Sequence, residues 1–118
     1  NKEGKYLLIR RSVEKYANIE GRWGIVGGRI DPGTTLLENL RREVMEETGL
    51  SITSEPKLIA AQDLLRGDKH VVRLTYTADA EGEVKLDEEN DMYKWVSEEE
   101  LKSFNDLDVY FNEVSKKL

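Results

Sequence analysis

Glu43, Glu46 and Glu47 place three carboxylates within five residues of the segment RREVMEETGL, positions 41 to 50. On a helix, like charges at i, i+3 and i, i+4 repel by ~0.2–0.5 kcal/mol per pair, and proximity to a core strengthens the repulsion. Glu46 and Glu47 also fall in the last turn, where the helix dipole is negative. Arg42 offers Glu46 partial relief, in the less favourable orientation for such a pair. A stretch that breaks several local preferences at once usually does so for function, and a hard divalent cation with oxygen ligands is the natural compensation. Carboxylates from one helix face leave most of a coordination sphere to water and substrate. That suits Mg²⁺ or Mn²⁺ bridging phosphate oxygens better than a full Ca²⁺ cage. A solvated charged face is the plain alternative, and from the helix alone both readings stay open.

The elements that must position these acids are legible on either side. Thr35 with Glu38 reads as a capping box and Gly49 as the residue that ends the helix. Leu36, Leu37, Leu40 and Val44 fall on one stripe that must face a core. At about 100° per residue, Glu43 and Glu47 lie at the edge of that stripe and Glu46 just beyond it. Upstream, Tyr6 to Ile9 reads as a strand, residues 12–22 as a polar loop, and WGIVGG (23–28) as a second short strand. Asp31-Pro32-Gly33 gives a turn before the helix. Downstream, residues 57–66 and 70–78 form a hairpin across Gly67-Asp68-Lys69. The acidic stretch 78–91 reads as a mobile loop and residues 92–96 as another strand. Ser97 with Glu100 caps a short helix, and Leu107, Tyr110, Phe111, Val114 and Leu118 mark a closing amphipathic helix.

A chain of 118 residues without cysteine supports one compact core, one domain over 1–118, and offers no disulfide or thiolate metal site. No apolar run reaches the ~18 residues of a membrane span, so the expectation is a soluble cytoplasmic protein with no membrane association. Net charge is −6. Residues 1–34 carry seven Lys/Arg against four Asp/Glu, and residues 35–118 carry eleven against twenty. Such an acidic protein is a poor match for a nucleic-acid polymer, whereas a small anionic ligand near the N-terminal arginines fits.

The segment Gly28 to Leu50, GRIDPGTTLLENLRREVMEETGL, resembles the Nudix box, G-x5-E-x7-R-E-U-x-E-E-x-G-U, where U is a bulky aliphatic residue. Gly28, Arg42, Glu43, Val44, Glu46, Glu47, Gly49 and Leu50 occupy eight of its nine specified positions. KYLLIRRS, GRWGIVGG and YKWVSEEEL also look like the family's surroundings. The resemblance implies an α/β (α+β) fold: an α/β/α sandwich with a mixed β-sheet, the box as loop-helix-loop, and a C-terminal helix. It implies Mg²⁺- or Mn²⁺-dependent hydrolysis of the pyrophosphate bond of a nucleoside diphosphate linked to another moiety. Glu43, Glu46 and Glu47 would be metal ligands with Gly28 beside them. Glu43 would also act as base, Arg42 would orient the carboxylates, and Arg42, Glu43 and Glu47 would form the catalytic set. A nucleoside triphosphate or other small nucleotide is the preferred substrate. The alternative is a Nudix-fold module that binds a nucleotide without turnover.

Two positions depart from the pattern: Thr34 stands where the box has its first glutamate, removing whatever support that acid gives, and Val26 replaces the usual proline. Glu89, six residues before Trp95, lies where family members often place a further metal-binding or basic carboxylate; a solvated loop acid is the other reading. Arg10, Arg11, Arg22 and Arg29 are candidates for meeting substrate phosphates through forked donors, although strand alternation lets only one of Arg10 and Arg11 do so. Trp23 and Trp95 read as packing residues, and His70 as a surface residue. Neither proline nor tyrosine occurs at Arg66-Gly67, where the ADP-ribose and dinucleoside-polyphosphate branches carry one. Family members also have a strand before residue 1; without it, Tyr6 to Ile9 would form an exposed sheet edge needing cover, for instance from a second subunit in a homodimer.

Overall fold

The computed structural model describes residues 1–118. Strand β1 (Tyr6–Arg11) pairs antiparallel with β2 (Trp23–Gly24) on one side and with β7 (Asn90–Val96) on the other. Between them in the chain come helix α1 (Leu36–Thr48), β3 (Ser51–Ile52), β4 (Lys57–Arg66), β5 (Lys69–Thr77) and β6 (Ala80–Glu81). Helices α2 (Glu98–Lys102) and α3 (Val109–Ser115) close the chain. Strands β4 and β5 form the expected hairpin, and β3 pairs with β6. All these ladders are antiparallel; the parallel contribution is one bridge, Trp23 to Leu107. No helix is long and apolar enough to cross a membrane.

The core gathers Leu8, Val96, Leu101, Leu107, Phe111 and Val114, with Trp23, Ile25 and Phe104 packed against it. Trp23 meets Phe104 edge to face at 5.5 Å. Sheet β2-β1-β7 supplies one wall and helices α2 and α3 the other. Each fully buried aliphatic side chain there contributes about 1.5–3 kcal/mol. Asp108 locks the assembly: its Oδ2 caps α3 at Phe111 N–H (3.0 Å) and accepts from Arg73 Nη1 on β5 (2.9 Å).

Several expectations need correction. Tyr6 to Ile9 pairs along its whole length with β7, while β2 covers its other side only from Ile9 onward; Leu8 is nonetheless fully buried. The second strand is only two residues long, because after Gly24 the chain leaves the sheet to build the loop before α1. The acidic stretch 78–91 contains β6 and the start of β7, held by backbone pairing despite few large apolar residues. Leu107 and Leu118 flank α3 rather than belonging to it, although Leu107 is still buried. His70 is on the surface, paired across the hairpin with Asp63 at 2.6 Å.

Helix α1 starts and stops where its caps dictate. Thr35 Oγ1 accepts from Glu38 N–H at 3.1 Å, and Gly49, at φ 75°, turns the chain in a left-handed conformation that disfavours side chains. The capping box is only half made, since the exposed Glu38 side chain does not return the bond. Ser97 and Glu100 at α2 make both halves, at 3.1 and 3.0 Å. The apolar stripe on α1 is weaker than expected: Leu36 is exposed, and Leu37, Leu40 and Val44 are only half-buried. The deeply buried side chains of the helix are Asn39, Glu47 and Thr48. Polar groups lie inside the buried sector, not at its edge.

Candidate functional site

The loop before α1 is tied to the helix by Asn39. Its Oδ1 accepts from Asp31 N–H (3.2 Å) and from Arg42 Nη2 (2.7 Å), while its Nδ2 donates to the Arg29 carbonyl (3.2 Å). Three of its four hydrogen-bonding positions are used, which accounts for a buried amide at this position. Arg42 radiates from the same point. Nη2 reaches Glu43 Oε1 at 3.1 Å and Asp31 Oδ2 at 3.0 Å, and Nη1 reaches Glu46 Oε2 at 2.9 Å. Burial opposes the Arg42 charge, but Asp31, Glu46 and Glu43 outweigh it and the pKa is raised. The planar fork holds three acids at set angles, a task lysine could not reproduce. Thr34 does not leave the loop without an acid: Asp31, three residues earlier, supplies one to Arg42.

Gly28 closes over Glu43. A Cβ at Gly28 would lie 2.5 Å from Glu43 Cδ and 2.7 Å from Oε2, so no side chain fits without moving that carboxylate. Next along the helix face, Glu47 is only 9% exposed, and its Oε2 is buried with no hydrogen-bond partner. Its pKa is pushed up to about 8, first by burial, then by the hydrogen bond and charge of Glu43, then by Asp87 and Glu89. A buried oxygen without a partner costs about 1–3 kcal/mol, so the fold bears a penalty here that its own side chains do not relieve.

The segment after β6 delivers the remaining acids. Lys85 N–H donates to the Thr48 carbonyl at 2.8 Å, closing this segment on the C-terminus of α1, and Ser12 N–H donates to the Glu89 carbonyl at 2.9 Å. Between these anchors, one oxygen each from Glu47, Asp87 and Glu89 lie within 4.8 Å of one another. The donors are all carboxylate oxygens, the set preferred by Mg²⁺ and Mn²⁺. With the orphaned Glu47 oxygen and the side-chain-free cradle at Gly28, these residues fit a hard divalent cation.

Of the residues singled out from the sequence, Gly28, Arg42, Glu43, Glu47 and Glu89 converge. Glu46 joins them only through Arg42 and stays 57% exposed at the rim. The arginines are more dispersed. Arg10 is committed to Asp91 at 2.7 Å, a hydrogen bond that raises its own pKa and lowers that of Asp91. Arg22 Nη1 donates to the carbonyls of Arg11, Ser12 and Tyr16, strapping the 12–22 loop. Arg11 lies over the Tyr16 ring at 5.1 Å, and Arg29 is exposed beside the box loop. Sequence reasoning missed Asp31, Asn39 and Asp87. The signal for Asn39 was its place four residues before Glu43 and eight before Glu47, on the same helical line. Asp31 and Asp87 lie in loops, where no periodicity marks them.

Comparison with known proteins identifies the family. A family model described as the NUDIX domain matches residues 1–115. The nucleoside triphosphatase NudI of Escherichia coli is 33% identical over 91% of this chain and 82% of its own length. The crystal structure of a MutT protein from Methanosarcina mazei superposes with a TM-score of 0.78 at 31% identity, covering 99% of this chain and 84% of that one. A MutT NUDIX hydrolase from Burkholderia pseudomallei shares the fold at a TM-score of 0.80 and 24% identity, over 98% and 89% of the two chains. With the box residues gathered around a buried carboxylate and the family match spanning nearly the whole chain, the protein belongs to the Nudix family and is a Nudix-type pyrophosphohydrolase.

Proposed function

We propose that the protein hydrolyses the pyrophosphate bond of a nucleoside triphosphate in a Mg²⁺-dependent reaction, with Mn²⁺ as a substitute. The observation that carries this reading is the buried, unpartnered Oε2 of Glu47 amid Glu43, Asp87 and Glu89. A Nudix relative described as a nucleoside triphosphatase supports the substrate class.

Glu43, Glu46, Glu47 and Glu89 would hold the cation, with Gly28 leaving room for the Glu43 carboxylate. A divalent cation held there would supply positive charge against the phosphate oxygens and make the attacking water more acidic. Glu43, its Oε1 fixed by Arg42, would accept the proton of that water. Burial and the neighbouring acids raise the Glu47 pKa to about 8, so a cation would compete with its proton and loading would depend on pH. Arg42 maintains the mutual orientation of Glu43 and Glu46 through charge-assisted bonds. Arg11 and Arg29, which make no ion pair within the chain, are the arginines free to meet the outer phosphates.

The test is a hydrolysis screen over nucleoside triphosphates, nucleotide sugars and dinucleotides, with and without Mg²⁺, run beside Glu47→Gln. Mg²⁺-dependent release of product from triphosphates, lost in the variant, is the expected result. Turnover confined to nucleotide sugars or dinucleotides would overturn the substrate class, and turnover unaffected by chelation would overturn the metal dependence.

A further inference from the structure

We infer that Asp87 is a further metal-holding residue of this site, closing its own loop with one carboxylate oxygen and offering the other to the cation held by Glu47 and Glu89. The inference rests on the divalent-metal reading above and adds a residue outside the box and outside the sequence expectations. Asp87 Oδ1 accepts from Glu89 N–H at 3.2 Å and from Asn90 Nδ2 at 3.1 Å. This is an Asx turn, in which the side chain imitates a backbone turn and fixes the two residues that follow. Asn90 is buried, so the turn is anchored from beneath as well as from its ends at Thr48 and Ser12. With Oδ1 occupied, Oδ2 remains for a ligand.

The cluster alone would carry little weight, because neighbouring acids are common on protein surfaces. The independent observation is the Glu47 carboxylate, nine-tenths buried with Oε2 unpartnered, its ligand oxygen within 4.8 Å of those of both Asp87 and Glu89. Three carboxylates gathered this closely, one of them desolvated, repel one another unless positive charge lies between them. The one basic group paired with this loop, Lys15 Nζ at 3.8 Å from Glu89 Oε1, is half-exposed. A divalent cation shared by Glu47, Asp87 and Glu89 satisfies all three.

Asparagine separates the two roles of Asp87, since its amide oxygen can close the same turn while the negative charge is lost. The experiment titrates Mn²⁺ into the metal-free protein, following free Mn²⁺ by electron paramagnetic resonance with no nucleotide present. It compares wild type, Asp87→Asn, Asp87→Ala and, as a control for overall charge, the exposed Glu55→Gln. Amide spectra of Glu89 and Asn90 report whether the loop is intact. The expected result is a Kd raised about tenfold or more in Asp87→Asn with the loop signals unmoved. A larger loss with shifted loop signals is expected in Asp87→Ala, and no change in Glu55→Gln. Wild-type affinity in Asp87→Asn, an equal loss in Glu55→Gln, or no Mn²⁺ binding by the wild type would each overturn the assignment. Failure of the substrate reading looks different: no triphosphate hydrolysis in the screen, with Mn²⁺ affinity still dependent on Asp87.

Discussion

Helix α3, seven residues long, turns Phe111 and Val114 into the core against Leu8 and Leu101. Helix α1, thirteen residues long, turns Asn39, Glu43 and Glu47 inward and leaves Leu36 and Met45 in solvent. The two helices obey the same periodicity but bury opposite chemistry. Burial of α3 is held by apolar area, so the cost of ordering it is offset where it packs. Burial on α1 is held by a polar web centred on Asn39 and Arg42, and it leaves one carboxylate oxygen without a partner. A helix that stabilises the fold and a helix that serves a reaction can thus be told apart by what they desolvate.

Substitutions at the polar face of α1 and in the core that α3 packs against should separate accordingly. Glu43→Gln is expected to lower kcat by roughly 10²- to 10⁴-fold, the range for losing a positioned base, with little change in melting temperature. Equal losses of activity and stability would mean that Glu43 is structural. Leu101→Ala, in the core beneath α3, is expected to cost about 2–5 kcal/mol in denaturant unfolding while kcat per folded molecule stays near wild type. A comparable fall in kcat would erase the distinction. Gly28→Ala should fall between them. Its Cβ must displace the Glu43 carboxylate, so kcat/KM drops about 10- to 100-fold, as when the support of a metal ligand is lost.

The metal-free protein should also carry the signature of Glu47 in its pH dependence. Below pH 4.5 the group is neutral in both folded and unfolded chains. Between 4.5 and about 8 the unfolded chain releases the proton while the folded protein keeps it, so this contribution to stability falls as pH rises through that window. Scanning calorimetry across the range should show it for wild type, with a flatter curve for Glu47→Gln. An identical slope in the variant would remove Glu47 as the cause. The smallest effect is expected at Leu36→Ala, on the exposed first turn of α1, at most about 0.5 kcal/mol. A loss of several times that would show that the aliphatic side of α1 is covered in solution.

The box helix was legible because caps and charge crowding leave marks in sequence: Thr35, Gly49 and the three glutamates needed no tertiary information. What escaped was the direction of burial. Leu36, Leu37, Leu40 and Val44 look like a core stripe, yet Asn39, Glu43 and Glu47 share their sector, and hydrophobicity alone ranks the polar line as the outer one. Glu89 was found by its distance from Trp95. Asp87 was missed because its significance comes from two anchors, Lys85 on Thr48 and Ser12 on Glu89, that join residues far apart in the chain. The arginines mislead for the opposite reason: Arg10 and Arg22 look available in sequence, and folding commits them to Asp91 and to loop carbonyls.

The central claim is that the polar face of α1 is built to receive a divalent cation between helix and loop. Heteronuclear NMR of the metal-free protein with substoichiometric Mn²⁺ tests it most directly, because paramagnetic broadening reports distance from the ion. The prediction is selective loss of signal at residues 28, 43–47 and 87–89, abolished in Glu47→Gln. Broadening centred instead on the acidic exposed turn at Glu98 to Glu100, or none at all, would contradict the account.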